Sequence, residues 1–105
     1  MGTQVVDNPD QQRYEIRVDG TLAGFAEYRR QSGVVTFTHT EIGPAYEGQG
    51  LGSVLARAAL DATRGGGEQV VPLCPFIAGY IRRHPHYVDL VVPERRAGFQ
   101  QTGGE

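Results

Sequence analysis

Three glycines at alternate positions, Gly48, Gly50 and Gly52, stand in the stretch AYEGQGLGSVL (residues 45–55), directly ahead of an apolar run. Glycine there costs conformational entropy, which a tight turn, close packing or a ligand touching bare backbone must offset. The flanks narrow the choice. Upstream, residues 34–42 are rich in β-branched side chains, and Gly43-Pro44 ends that segment. Downstream, Leu51, Val54, Leu55, Ala58, Ala59 and Ala62 recur at the spacing of one face of an amphipathic helix. Gly65-Gly66-Gly67 stops the helix and leads to a short apolar strand, Val70-Val71-Pro72-Leu73. Strand, helix and strand in this order make a βαβ crossover, so the two strands should lie parallel, joined by a right-handed connection.

The rest of the chain fits around that unit. Tyr14, Ile16 and Val18 alternate with Arg13, Glu15 and Arg17, the period of a half-buried strand. Asp19-Gly20 is a hairpin turn of the primed type, Leu22 to Tyr28 a second strand, and Gln31-Ser32-Gly33 another turn. Met1 to Asp10 is polar, with Asn8-Pro9-Asp10 reading as a loop. Cys74-Pro75 opens a second helix carrying Phe76, Ile77, Tyr80 and Ile81 and ending near Arg82-Arg83-His84-Pro85. Tyr87 to Val92 reads as a short edge strand, and the tail from Pro93 as polar and glycine-rich. The expected class is α/β (α+β): an antiparallel meander, a βαβ crossover and a second short helix on a mixed sheet. It forms one domain over residues 1–105 with its core at about 13–92, and segments 1–10 and 93–105 are expected to be flexible.

Composition excludes several function classes. The 105 residues include 39% hydrophobic ones, enough for one core, and the formal charge is −2. That charge argues against nucleic-acid or membrane-surface partners, which want a basic excess. All ten basic residues are arginine. One cysteine makes no internal disulfide, no apolar stretch approaches the roughly 20 residues of a membrane span, and no signal-peptide core is present. A cytoplasmic location is the expectation.

A phosphate can approach the glycine loop because it opens a helix, where amides are unpaired and the dipole is positive. The spacing is neither the dinucleotide fingerprint, which would need glycine at Ser53, nor a Walker loop. It resembles motif A of the GNAT superfamily of N-acetyltransferases, Gln/Arg-x-x-Gly-x-Gly/Ala. Gly50 and Gly52 match its glycines, and Glu47 stands where the family has Gln or Arg. The segments HTEIGPAYEGQGLG (39–52) and VVPLCPFIAGYIRRHPHY (70–87) are similar to a group of small single-domain members. These carry His-Thr-Glu before the loop and Pro-x-Cys after the next strand. The likeness covers about Tyr14 to Val91.

The resemblance implies acetyl-coenzyme A as co-substrate and an amine acceptor, with no metal. The diphosphate would be held by backbone amides of Gly48, Gln49, Gly50, Leu51, Gly52 and Ser53, and not by Glu47. An amide near Ile42 would polarise the thioester carbonyl. His39 and Glu41 share a strand face near the cleft mouth. Either is a candidate base, or His39 is a packed strand histidine and Glu41 a solvated strand end. Cys74 is placed beside the cofactor sulfur, at a helix terminus where thiols react most readily. It could protonate the leaving thiolate, shape the pocket, accept an acetyl group, or be a small buried hydrophobe. Tyr80, on the helix where many family members carry a tyrosine acid, falls on an apolar stripe, and Tyr87 is a further candidate. His84 and His86 lack a third ligand for a metal. Arg82 and Arg83 are explained by the helix dipole.

The chain lacks the helices that ordinarily follow the first strand in this family, so the cleft should be open and suited to a protein or peptide amine. Two other readings stand beside the acetyltransferase. One is a coenzyme A or acyl-coenzyme A binding module without turnover. The other is an interaction domain whose glycines serve packing alone.

Overall fold

A computed structural model describes residues 2–99. Five strands, β1 (Thr3–Asn8), β2 (Arg13–Val18), β3 (Thr21–Gln31), β4 (Val34–Ile42) and β5 (Gln69–Pro72), form one sheet in sequence order. The first four are antiparallel, and β5 runs parallel to β4 after helix α1 (Leu51–Gly65). Helix α2 (Pro75–Arg83) follows β5. The mixed sheet and crossover are as expected.

The meander turns through residues with positive φ: Asp19 at 51° and Gly20 at 84°, then Ser32 at 52° and Gly33 at 79°. Positive φ at both central positions is the geometry that matches the twist of paired strands. One face of the sheet, carrying Tyr14, Ile16, Ala26, Tyr28, Val35, Phe37 and Val70, joins both helices in a single core. Helix α1 packs across the sheet and α2 against β4, β5 and α1.

Four details depart from the sequence reading. The polar N-terminal segment, in which no strand is expected, supplies β1, paired with β2 from Thr3↔Val18 to Asn8↔Arg13. Its two valines make a poor local strand signal, and pairing with a neighbour supplies the rest. The buried face of α1 is Leu51, Leu55, Ala56, Ala59, Leu60 and Thr63, whereas Ala62 is exposed. Leu60 buries far more apolar surface than Ala62 could, and Thr63 tolerates burial because its hydroxyl donates to Ala59 O at 2.8 Å.

Residues 85–90 form a 3-10 turn instead of an edge strand, and only Val91 bridges to Val70. Pro85 starts it, and the three-residue period buries Tyr87 and Leu90 together. The stretch Pro93–Gly98 is likewise a 3-10 turn, anchored by buried Phe99, whose ring carries the Arg82 guanidinium at 4.7 Å. Tail residues 100–105 and Met1 lie outside the described residues.

Candidate active site

The site begins where β4 and β5 part. They pair from Val34↔Gln69 to Phe37↔Pro72, and the amide of Cys74 makes the last link, to Phe37 O at 2.9 Å. Beyond that point β4 continues to Ile42 without β5, paired with β3 only. A bulge explains the bend: Tyr28 opposes Phe37 and Glu27 opposes His39, leaving Thr38 as the extra residue. The bulge also swaps faces. Phe37, Thr40 and Ile42 lie opposite Tyr28, Ala26 and Gly24 on the helix-covered face, while His39 and Glu41 lie opposite Glu27 and Phe25 on the other.

On the helix side, Gly43-Pro44 enters a 3-10 turn (Pro44–Tyr46), and the glycine loop leads into α1. Gly48 and Gly50 have φ of 84° and 76°, so these two satisfy a backbone requirement. Gly52 has an ordinary helical φ and a different reason: a Cβ there would stand 2.7 Å from Cζ of Phe76. Turn geometry and close packing therefore both apply. No side chain caps α1, and no acidic residue sits in its first turn. The amides there are left for solvent or an anion.

Together these elements line a groove of about 210 Å³, walled by Ile42, Tyr46, Glu47, the loop glycines, the first residues of α1 through Ser53, and Phe76. Of the predicted phosphate-binding residues, Gly48, Gly50, Leu51, Gly52 and Ser53 line the groove, and Gln49 is exposed outside its wall. Glu47 is also in the wall. Phe76 and Tyr46 were not predicted as walls. The signal for Phe76 is its place two residues after Pro-x-Cys, in the first turn of α2.

Ile42 stands where the groove meets the end of β4. The Gly43 amide is spent on Ala23 O at 2.8 Å. Successive amides in a strand alternate sides, so the Ile42 N–H points toward the edge that β5 has left. Cys74 is buried at the start of α2, and its thiol donates to Thr40 Oγ1 at 3.2 Å. It does not line the groove.

His39 and Glu41 sit on the open face, side chains 55% and 61% exposed, with His39 Nε2 3.1 Å from Glu41 Oε1. Beside Glu41 is a depression of about 130 Å³ formed by Leu22, Ala23, Gly24, Phe25 and Gly43. Further along this face Arg13 lies over the Phe25 ring at 4.6 Å and pairs with Glu15 at 2.9 Å. Hydrogen bonds from Arg17 first, and then from Arg13 and Asn8, hold the Glu15 carboxyl down to about 2 against the opposing cost of burial. Glu15 fixes the strands beneath the open face.

Tyr80 is buried and stacks on His84 with ring centroids 4.1 Å apart, the packing role expected of its stripe. Tyr87 donates its hydroxyl to Asp61 at 2.6 Å, and burial followed by that carboxylate pushes the phenol above its ordinary range. It has no part near the groove. Among the described residues no cluster of three or more His, Cys, Asp or Glu is placed to hold a metal, and no helix is long and apolar enough to cross a membrane.

A sequence model of the GCN5-related N-acetyltransferases matches residues 13–90. The chain belongs to that family. The solution structure of a GCN5-like protein from Staphylococcus aureus superposes with a TM-score of 0.64 over 85% of this chain and 87% of that one, at 18% identity. That likeness shows the shared fold. No curated protein matches the chain.

Within this GCN5-related family the acetyl donor is acetyl-coenzyme A. The groove fits such a donor in one checkable respect: the first turn of α1 offers uncapped amides and carries no acidic residue of its own, Glu47 standing before it in the groove wall, and glycine keeps the approach to those amides clear.

Proposed function

We propose that this chain is an acetyl-coenzyme A-dependent N-acetyltransferase that acts on a primary amine approaching from the open face of the sheet. One observation carries the reading. The uncapped α1 amides, the groove and the free edge of β4 are continuous on one side, while an exposed His39–Glu41 pair stands on the other side of the same strand.

The division of labour follows from that placement. Amides of residues 48–53 take the diphosphate, where the helix dipole favours negative charge. The Ile42 N–H, pointing into the gap left by β5, donates to the thioester oxygen as charge develops on it. Glu41, hydrogen-bonded to His39, takes a proton from the acceptor ammonium, because an amine with pKa near 10.4 is mostly protonated at neutral pH. The free amine then attacks the carbonyl carbon directly. The new C–N bond forms as the C–S bond breaks, and the leaving thiolate takes up the proton that the attacking nitrogen releases. Cys74, held by Thr40 beside the gap, shapes the acyl end.

The depression beside Glu41 is shallow and unroofed, which suits an amine presented by a peptide or protein chain. Calorimetric titration with acetyl-coenzyme A, followed by an acetylation assay over amine-bearing peptides, tests the reading. Micromolar binding with peptide acetylation supports it. Binding without turnover on any amine would make the chain a coenzyme-binding module. Absence of binding would leave the glycines to the fold alone. Intact-mass analysis of wild type and Cys74→Ser after exposure to the donor separates direct transfer from an acyl-cysteine route, since only the latter leaves a cysteine-dependent mass increase.

A further inference from the structure

Helix α2 carries one arginine that the fold leaves unused. Phe76, Gly79 and Arg83 share one face of the helix at i, i+3 and i+7. Phe76 walls the groove. Gly79 sits inside the helix, where glycine is less favourable than alanine by about 1 kcal/mol, and its φ is not positive. What occupies the space over it is Arg83: Nη1 lies 3.5 Å from where a Gly79 Cβ would stand.

The direction matters. Long side chains on a helix lean back over the preceding turn, toward the helix N-terminus. The Arg83 guanidinium accordingly lies over Gly79, one turn back along the face that carries Phe76. Its neighbour Arg82 is committed to the Phe99 ring. Among the described residues no carboxylate pairs with Arg83. A positive charge is thus held on a flat glycine shelf, one turn along α2 from the groove wall, with Cβ positions 76 and 79 roughly 5–6 Å apart.

We propose that Arg83 recognises the ribose 3′-phosphate of the coenzyme. The inference rests on the coenzyme reading above. Coenzyme A is anionic in two places, the diphosphate and the 3′-phosphate, and the α1 amides serve only the first. A phosphate monoester carries nearly two negative charges at neutral pH and matches a guanidinium fork. With the diphosphate at the start of α1, Phe76 is the adjoining wall of the groove, and Arg83 is the cation on the same face of α2. Gly79 leaves the shelf low enough for both the guanidinium and the phosphate.

The test is calorimetric titration of the full chain with coenzyme A and with 3′-dephospho-coenzyme A, for wild type, Arg83→Gln and Arg83→Lys. Wild type should prefer coenzyme A by about fivefold, the upper end for an exposed pair. Arg83→Gln should lose that preference while its affinity for the dephospho form stays unchanged, and Arg83→Lys should retain part of it. Added salt should shrink the wild-type preference. A preference that persists in Arg83→Gln, or an equal loss for both ligands, overturns the inference and leaves the coenzyme reading intact. Failure of wild type to bind either ligand overturns both.

Discussion

The tip of the Phe76 ring rests on the backbone of Gly52, so that an added Cβ would come within 2.7 Å of Cζ. The contact joins the first turns of the two helices and closes one wall of the groove. Gly52→Ala should push the ring outward, which Phe76, already 38% exposed, has room to do. Folding stability should change by less than about 1 kcal/mol, as for a surface substitution with a small propensity gain. Coenzyme affinity should fall. In a Phe76→Ala background the same substitution should have almost no further effect, and a four-protein cycle of titrations measures that coupling. Strictly additive losses would mean that the contact does not build the groove.

Gly50 makes a different demand. Its φ is 76°, and a Cβ there would meet nothing within 4 Å. Gly50→Ala should therefore cost about 1–2 kcal/mol through left-handed strain. Gly50→Asn should cost less, because asparagine tolerates that region. A bulky residue such as valine should abolish coenzyme binding. Thermal unfolding of the three variants checks the order. Equal losses for alanine and asparagine would show that torsion is not the cause.

Glu41 and the groove lie on opposite faces of β4, so their effects should separate. Glu41→Gln should lower kcat by about a hundredfold, the low end for a lost general base, while the dissociation constant for coenzyme A stays unchanged. His39→Asn should lower kcat less, since it removes only the hydrogen-bond partner of the carboxylate. A weaker coenzyme complex in Glu41→Gln would contradict the separation of faces.

Glu15 gives the fold a pH dependence. Its carboxyl titrates at about 2 in the folded protein against 4.5 as the reference value, so the folded state binds its proton less readily than the unfolded chain. The stabilisation is present above the unfolded value and is lost as pH falls from about 4.5 toward 2. The shift corresponds to at most about 3 kcal/mol, lowered by the solvent that reaches Arg17. Urea unfolding at neutral and acid pH should show wild type losing its advantage over Glu15→Gln as pH drops through that window. Parallel pH curves for the two proteins would assign the acid sensitivity to other carboxylates.

Much of the architecture was legible because its signals are local. Asp19-Gly20 and Ser32-Gly33 announce turns through the φ values that glycine permits. The run Gly65-Gly66-Gly67 marks the end of α1, and the order of strand, helix and strand leaves the parallel pairing of β5 with β4 as the favoured connection. The glycine loop identified its place at a helix N-terminus in the same way. Ala62 shows where this stops: a row of small apolar residues gives a helix period without fixing its phase, and the larger Leu60 decides which face turns inward.

The sequence by itself determined which residues turn, which segments alternate and where backbone is left bare, because each depends on torsions and side chains within a few positions. Tertiary structure decided the rest. Thr3–Asn8 is a strand only because β2 offers it a ladder, and residues 85–90 tighten into a 3-10 turn because the core takes Tyr87 and Leu90 on one side. The bulge at Thr38 mattered most for the site. A period-two reading carries Phe37, His39 and Glu41 along one face, whereas one extra residue, expressed only through pairing with β3, turns Thr40 and Ile42 toward the helices and sends His39 and Glu41 to the open side. Pairing register is a property of two segments at once, and neither segment encodes it alone.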